Sequence, residues 1–234
     1  MVGRDDYRDQ IGRPFDVVIN ANGNAKRFKA DTEPLWDFDN SVRPVYESVL
    51  DFPSAHYVLI SSVDVYNDTR DADATAECEP IDPARLRPYG FHKRIAELCV
   101  ARGADSWQIF RLAQMVSPAL TKGPIFDLLH GRPLWIHPAS ELPYLHTRTA
   151  ADVIVRVIAN GPRQEIYNVC GRGSVEFARV LALVGRSPSD QAYAECEPQM
   201  YRINTDKTHR LCSLPESWNE IRTFIQAATA VHDA

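Results

Sequence analysis

Short apolar runs alternate with segments of helical periodicity along the first half of the chain. Residues 15–19, 56–62 and 106–112 are almost continuously apolar and predict strands. The three- to four-residue apolar spacing of a helix occurs within 33–52 and throughout 88–102. Strands that alternate with helices in this way are typical of a parallel α/β sheet with crossover helices. Continuously apolar strands also indicate that helices cover both faces of the sheet.

The second half of the chain has a looser pattern of shorter elements, which predicts a smaller lobe beyond about residue 115. The predicted elements are short strands at 131–136 and 142–146, a helix at 149–160, a strand at 165–170, a helix at 174–185 with Ser174 as its N-cap, and a final helix at 216–229. No repeat or low-complexity tract interrupts this order.

The helix at 88–102 has signals at both ends and two distinct side-chain stripes. Pro88 suits a first helical position, and Gly103 suits a C-terminal cap with a positive φ. Tyr89 and Lys93, four residues apart, lie one above the other on one stripe. A second, apolar stripe consists of Phe91, Ile95 and Leu98. The tyrosine–lysine pair by itself is weak evidence of a site and needs support from the rest of the chain.

Composition excludes several functional classes. With 234 residues, 44% apolar and 24% charged, the chain is typical of a globular protein with one large or two small domains. A net charge of −5 argues against nucleic-acid binding. The five cysteines form no CxxC pair, which favours reduced thiols over a disulfide framework or a metal site. No apolar run has membrane-spanning length and the start is highly charged. We therefore expect a cytoplasmic protein without membrane, nucleic-acid or metal partners.

Polar side chains follow the predicted strands at the positions where α/β proteins place their chemistry. The strand at 15–19 leads into the sequence NANG, and the strand at 56–62 leads into SSVDVY. Tyr89 and Lys93 follow at the start of the next helix. Because ligands bind beyond the carboxyl ends of parallel strands, we expect these segments to form one site.

Four segments in this order resemble one known family. DVVINANG (16–23), VLISSVDVYND (58–68), PYGFHK (88–93) and IFRLAQMVSP (109–118) resemble consecutive motifs of the extended short-chain dehydrogenase/reductase family, and specifically of its NAD-dependent epimerase/dehydratase branch. Later segments resemble the family's substrate-lobe elements, so the resemblance covers nearly the whole chain.

The resemblance implies a Rossmann-like parallel sheet, N-terminally incomplete, with a smaller C-terminal α+β substrate lobe. The implied domains are 1–115, which would bind a dinucleotide, and 116–234, which would bind substrate and pack partly against the sheet. The implied activity is hydride transfer between NAD or NADP and a hydroxyl or carbonyl of a sugar or nucleotide sugar.

The family's catalytic roles fall on four residues. By resemblance, Tyr89 is the acid/base, and Lys93 lowers its pKa and binds the nicotinamide ribose. Ser62 would orient the same substrate oxygen, and Asp64 would be a second acid/base. Two alternatives remain open: Tyr89 and Lys93 could form an exposed i,i+4 pair, and Asp64 could be a turn carboxylate.

The resemblance also implies binding residues. Cofactor contacts are expected at Asn20, Ala21, Gly23, Ser61, Tyr89, Lys93, Leu112 and Ala113, and substrate contacts at Ser62, Asp64, Gln114 and His146. For His146 the alternative is a structural histidine on an apolar strand, and for Gln114 it is hydrogen bonding at the edge of the core.

The sequence departs from the family at its start. Gly3 and Gly12 form no Gly-rich turn before residue 15, so cofactor binding would be weakened or absent. A later strand–Gly-x-Gly–helix segment, 166–177, has Glu176 in place of the third glycine and is not expected to bind phosphate. Residues 15–19 would form an exposed edge strand. We expect either residues before Met1 or a covering surface; the alternative is a non-catalytic pseudoenzyme or interaction subunit.

Two further features bear on the substrate and on oligomerisation. Leu142 and Pro143 replace the family's frequent Arg-Asp pair, so the usual arginine contact to a nucleotide diphosphate is missing unless Arg148 replaces it. A homodimer through a four-helix bundle would use residues 45–50 and the stripe of Phe91, Ile95 and Leu98. The alternative is that these residues form the core.

Overall fold

The computed structural model describes residue 3 and residues 5–187 and 196–232. Its helices are α1 (Tyr7–Gln10), α2 (Arg27–Thr32), α3 (Pro34–Ser41), α4 (Arg43–Asp51), α5 (Pro88–Gly103), α6 (Pro124–Leu129), α7 (Thr147–Asn160), α8 (Phe177–Leu183), α9 (Asp206–Leu211) and α10 (Ser217–His232). Its strands are β1 (Phe15–Asn20), β2 (Ser54–Ser62), β3 (Trp107–Leu112), β4 (Gln114–Val116), β5 (Glu141–Leu142), β6 (Tyr144–His146), β7 (Glu165–Val169) and β8 (Val175–Glu176).

The chain divides into two compact units. The first comprises Met1–Asn67, Pro80–Arg111 and Gly161–Tyr167, and the second comprises Asp68–Glu79, Leu112–Asn160 and Asn168–Ala234. Both units are therefore built from separated stretches of sequence, which hydrophobic periodicity alone could not indicate.

The first unit is built on a four-stranded sheet with the order β1-β2-β3-β7, and the predicted α/β class with a parallel central sheet is confirmed. Strand β1 pairs with β2 in parallel and lies at the edge of the sheet. Val17 and Ile19 on β1 are 39% and 51% exposed. The prediction of an edge strand at residues 15–19 is therefore correct within the described residues.

The core of the first unit lies between the sheet and helices α4 and α5. Its buried members are Val45, Tyr57, Leu59, Ala96, Val100 and Ile109. Gly103 does not have the positive φ that we expected of a cap. Instead, a Cβ at this position would lie 2.8 Å from Val49 Cγ1, so glycine is needed for the close approach of α4 and α5.

The apolar stripe of α5 does not face this core. Phe91 and Leu98 are 37% and 46% exposed, whereas Tyr89, Lys93 and Glu97 are buried. The polar stripe with tyrosine and lysine is thus the inner face of the helix. The alternatives of core burial for Phe91 and Leu98 and of an exposed Tyr89–Lys93 pair are both wrong.

The second unit contains two small sheets and a separate core. Strands β4 and β6 pair in parallel, and β5 and β8 pair antiparallel. Helices α6, α8 and α10 contribute apolar residues to one buried cluster, including Ile125, Leu181 and Ile225. Leu142 joins the same cluster, which accounts for an apolar residue at that position.

Three predicted elements require correction. The helical segment at 33–52 is two helices, because Pro44 has no N–H to continue the hydrogen bonds of α3 into α4. Residues 131–136 form no strand; Leu134 and Ile136 are buried in the second core without pairing to a neighbouring chain segment. Ser174 is not an N-cap, because α8 begins at Phe177, and the Ser174 hydroxyl donates to Glu141 Oε2 at 3.0 Å.

None of the helices in the described part of the chain is long and apolar enough to cross a membrane.

Candidate active site

The end of β2 presents Ser62 and Asp64 through a tight turn. The Asp64 backbone N–H donates to Ser62 Oγ at 3.2 Å, and the Ser62 hydroxyl donates to Asp64 Oδ2 at 3.0 Å. A Cβ on Gly90 would lie 2.1 Å from the Asp64 carbonyl oxygen. Glycine at this position of α5 therefore allows the helix to lie directly against the serine turn.

Tyr89 is buried next to this turn, with Ser62 close enough to its hydroxyl to influence its pKa. The pKa of Tyr89 is raised well above its usual value of 10.0, mainly because the phenol is buried and also because Asp64 is close. Ser62 and the positive charge of Arg27 partly offset this rise. The pKa of Tyr89 is therefore not lowered as we expected, and the phenol is protonated at neutral pH.

Lys93 lies one helical turn beyond Tyr89 and is 8% exposed. Its Nζ is 5.8 Å from the centre of the Tyr89 ring. Burial lowers the pKa of Lys93, against the opposing effects of Asp37, Glu97 and Asp64. Within the described residues, Lys93 Nζ makes no hydrogen bond or ion pair. The ammonium at the end of this mostly buried side chain is therefore available to a ligand.

The predicted cofactor turn at the end of β1 lies against Lys93. Gly23 has a φ of +132°, and a Cβ there would lie 2.9 Å from Lys93 Nζ. Asn20 anchors the turn to the interior, because its side-chain N–H groups donate to Ser48 Oγ at 2.8 Å and Tyr57 Oη at 2.9 Å. Ala21 is exposed. The turn thus presents backbone and the exposed Ala21, while the Asn20 side chain is directed to the interior.

A second set of hydrogen bonds connects this turn to α5. The Asn24 backbone N–H donates to Ser41 Oγ at 3.1 Å, and the Ser41 hydroxyl donates to Asp37 Oδ1 at 3.0 Å. The other Asp37 oxygen lies 2.7 Å from His92 Nδ1, with both side chains buried. His92 is the neighbour of Lys93 in the chain. These hydrogen bonds therefore connect the NANG turn to the part of α5 that carries Lys93.

Ser61 is held by a buried ion pair. Its hydroxyl donates to Glu97 Oε1 at 2.7 Å, and Arg111 binds Glu97 through two hydrogen bonds of 2.8 and 2.9 Å. Burial raises the pKa of Glu97, but the charge of Arg111 and the hydrogen bonds to Glu97 outweigh it and lower the pKa overall. The Ser61 side chain therefore serves the structure, and only its backbone remains for the predicted cofactor contact.

The other predicted site residues, from Leu112 onward, belong to the second unit. Leu112 and Ala113 are half-buried beside β4. Gln114 lies on β4 opposite Tyr144, and a Cβ on Gly123 would be 3.7 Å from its Nε2. His146 ends β6; its backbone N–H donates to Glu220 Oε2 at 2.8 Å and its Nδ1 accepts the Arg148 N–H at 3.1 Å.

Several residues near Tyr89 were not predicted from the sequence. Arg27 Nη1 lies 3.1 Å from Asp64 Oδ1, which joins the helix after the NANG turn to the serine turn. Asp37 and Arg111 interact with α5 from distant segments and carry no local signal. Glu97 could have been found, because it continues the four-residue spacing of Tyr89 and Lys93.

The described residues contain no cluster of three or more histidine, cysteine, aspartate or glutamate side chains that could hold a metal ion.

Comparison with known proteins identifies the family. Residues 4–170, well over half of the chain, match the model of the NAD dependent epimerase/dehydratase family. The chain therefore belongs to this family, as the motifs predicted, and the family's cofactor is NAD. No curated protein matches the sequence.

Solved structures support the fold. The chain is similar to DesIV, a dTDP-glucose 4,6-dehydratase from Streptomyces venezuelae with NAD and TYD bound (17% identity, TM-score 0.78, 97% of this chain and 76% of that chain). It is also similar to a mutant UDP-glucuronic acid 4-epimerase from Bacillus cereus (14%, 0.78, 97% and 79%) and to RMD from Pseudomonas aeruginosa complexed with NADPH (16%, 0.75, 92% and 82%). At these identities the likeness concerns the fold alone.

The residues present fit one half of a dinucleotide. Lys93 offers an ammonium that makes no hydrogen bond or ion pair within the described residues, and Gly23 leaves open the space that a side chain would fill beside it. Both features suit the ribose and nicotinamide end. No Gly-rich strand–turn–helix for the pyrophosphate is found among the described residues before β1.

Proposed function

We propose that this chain is an NAD(P)-dependent oxidoreductase or isomerase of the epimerase, dehydratase or reductase type that acts on a hydroxyl or carbonyl of a sugar. The observation that carries the proposal is the buried Tyr89 beside the Ser62 turn, one helical turn before Lys93, whose ammonium makes no hydrogen bond or ion pair within the described residues.

In this proposal Tyr89 exchanges a proton with the substrate oxygen. Its raised pKa keeps the phenol protonated, so it is ready to donate a proton to a carbonyl. Ser62 is within hydrogen-bonding reach of Tyr89 and orients the same oxygen. The bound nicotinamide supplies or accepts the hydride. Asp64 accepts a hydrogen bond from the Ser62 hydroxyl and is the candidate for a second acid/base.

The cofactor contacts follow from the same geometry. Lys93 would donate to the ribose hydroxyls, and the backbone of Ala21 and Gly23 would lie along the same edge. A ribose at Lys93 Nζ would also favour the ammonium form, because it replaces the missing hydrogen bonds. We propose NAD or NADP, because the residues that select the 2′ group are not among those identified.

The substrate is proposed to be a sugar, free or linked to a nucleotide. The similar solved structures include enzymes of dTDP-glucose and UDP-glucuronic acid. Here Leu142 is buried in a core and offers no charge to a diphosphate. We therefore assign substrate contacts to Ser62 and Asp64 of the first unit, and a screen of sugars and nucleotide sugars decides whether a nucleotide is recognised.

The experiment is a fluorescence titration of the purified chain with NADH and NADPH. We expect saturable binding that Lys93→Ala weakens about tenfold or more, in line with loss of charge-assisted hydrogen bonds. The exposed Lys26→Ala is the matched control and should bind as the wild type does. Tyr89→Phe should retain binding but lose turnover in a screen of sugars and nucleotide sugars. A folded wild type that binds neither cofactor at millimolar concentration would refute the proposal.

A second candidate is a non-catalytic subunit that interacts with another protein. It is favoured by strand β1, whose outer edge is unpaired within the described residues and carries the exposed Val17 and Ile19. Such an edge is suited to pairing with a further strand. Absence of cofactor binding together with a stable complex would support this candidate over the enzyme.

We also propose a cytoplasmic homodimer. All five cysteines are free, as suits a reducing compartment. Helices α4 and α5 pack together, with Tyr46 and Leu50 exposed on α4 and Phe91 and Leu98 exposed on α5. Two copies of this helix pair would bury these side chains in a four-helix bundle.

A further inference from the structure

The second unit contains a cavity whose lining does not include Tyr89, Ser62 or Lys93. It has a volume of about 640 Å³, within the usual range for small-molecule sites, and every described residue that lines it belongs to the second unit. Among the predicted site residues only His146 lines it. We propose that this cavity binds a small organic cation with an apolar ring.

The walls of the cavity are apolar and partly aromatic. They are formed by α6 on one side and α10 on the other, with Phe126, Leu129, Phe224 and Ala227 among the lining residues. The Phe224 ring lies 6.3 Å from the His146 ring, so two aromatic groups border the same space. Such walls suit a flat ring, which they can contact by edge or face.

The polar groups of the cavity meet at the start of α7. Glu220 Oε2 accepts the His146 backbone N–H at 2.8 Å and the Thr149 hydroxyl at 3.2 Å. Both donors engage one carboxylate oxygen, and no contact of the described residues is made by Glu220 Oε1. Nδ1 of His146 accepts the Arg148 backbone N–H, which leaves Nε2 as the ring nitrogen for a ligand. The strongest polar feature is therefore a carboxylate.

The charge of the lining selects the class of ligand. Glu220 is a carboxylate, and neither lysine nor arginine lines the described part of the cavity. The Arg132 guanidinium is occupied against one lining residue, 4.7 Å from the centre of the Phe126 ring. The second histidine, His130, is exposed and its Nδ1 lies 2.8 Å from the Phe126 carbonyl oxygen. A phosphate or carboxylate would meet Glu220 without a facing cation, whereas an amine would gain an ion pair.

The inference does not rest on the proposed function, since hydride transfer involves none of the lining residues named here. It also gives His146 a different role from the one expected from the sequence. His146 would contribute a ring wall and an Nε2–H donor to this second ligand, and its backbone anchors the carboxylate that selects the charge.

The test uses two probes with the same ring and opposite charges, tryptamine and indole-3-acetate, in calorimetric titrations of the full chain. We expect tryptamine to bind at least about tenfold more tightly, because only the amine pairs with Glu220. In Glu220→Gln, which retains an acceptor for His146 N–H and Thr149, the preference should disappear. Equal affinity of the wild type for both probes, or a preference that survives Glu220→Gln, would overturn the inference.

A second pair of variants tests the position of the site. Ala227→Phe places a ring in the cavity from an exposed position of α10 and should abolish tryptamine binding. Ala230→Phe, exposed on the same helix but outside the lining, is the matched control and should bind normally. Binding that is unchanged in Ala227→Phe, or absent from the wild type, counts against the inference. NADH titration of both variants should match the wild type, which keeps this result distinct from the proposed function.

Discussion

Glu97 and Arg111 form a bidentate ion pair at 2.8 and 2.9 Å, with side chains that are 0% and 1% exposed. Glu97 also accepts the Ser61 hydroxyl and an Arg94 N–H. Because Tyr89, Lys93 and Glu97 follow one another at four-residue intervals on the inner face of α5, this pair fixes the end of the candidate catalytic stripe.

Removing one member of the Glu97–Arg111 pair should lower the free energy of unfolding. Glu97→Gln leaves the Arg111 charge buried and uncompensated, and we expect a loss of about 3–5 kcal/mol in the free energy of unfolding. The double variant Glu97→Leu with Arg111→Met should lose less than the sum of the single changes. Urea denaturation of Glu97→Gln, of Glu97→Leu and Arg111→Met alone, and of the double variant measures these losses. Additive losses in the double variant would show that the two side chains are not coupled.

The Glu97–Arg111 pair also makes the free energy of unfolding depend on pH in the acid range. Arg111 and the hydrogen bonds lower the pKa of Glu97 below its usual 4.5, so the folded state holds this proton less tightly than the unfolded chain. The stabilisation is complete above pH 4.5 and is lost as the pH falls through the folded value. The stability difference between wild type and Glu97→Gln should therefore be constant near neutrality and shrink below about pH 4.5 in a denaturation series.

Lys93 should reduce stability at neutral pH in the absence of ligand. Burial lowers its pKa from 10.5, so the folded state disfavours the ammonium, and the penalty fades as the pH rises towards 10.5. We expect Lys93→Met to raise the free energy of unfolding by about 1–3 kcal/mol at pH 7 while abolishing cofactor binding. Lys26→Met, at an exposed position, should change neither. A destabilised Lys93→Met would indicate that the lysine serves the fold.

Gly23→Ala should destabilise the protein through backbone strain. A φ of +132° opposes alanine, with an expected cost of about 1–3 kcal/mol. An added Cβ would lie 2.9 Å from Lys93 Nζ, but this atom ends a flexible side chain that can move aside. Gly12→Ala, with a φ of +79° and no atom within 4 Å of the added Cβ, is the comparison and should cost less. Thermal unfolding should rank Gly23→Ala below Gly12→Ala, and an unchanged Tm in Gly23→Ala would contradict the expected strain.

The dimer proposal can be tested at an exposed position of α5. Leu98→Glu should convert a species of twice 26.4 kDa into one of 26.4 kDa in light scattering, with little change in stability because Leu98 is half-exposed. Leu35→Glu, at the more exposed position on α3, should leave the mass unchanged. A monomeric wild type, or dissociation by Leu35→Glu alone, would contradict the proposed bundle.

The sequence by itself determined the order of the main elements and the family. The strands at 15–19, 56–62 and 106–112 and the helix beginning at Pro88 are found where periodicity predicted them, because each has a local pattern that its neighbours reinforce. The motif order also identified the NAD dependent epimerase/dehydratase family. Local signals sufficed here, since strand and helix periods and short motifs are properties of contiguous residues.

Tertiary structure decided which face of each element is buried and what surrounds the site. Periodicity showed two stripes on α5, but only the partners Asp37 and Arg111, distant in sequence, determine that the polar stripe is inside. In the same way, the alternation at 131–136 reflects burial without strand pairing. Burial and long-range charge pairs also set the pKa of Tyr89 above its usual value, which the local Tyr89–Lys93 spacing could not indicate.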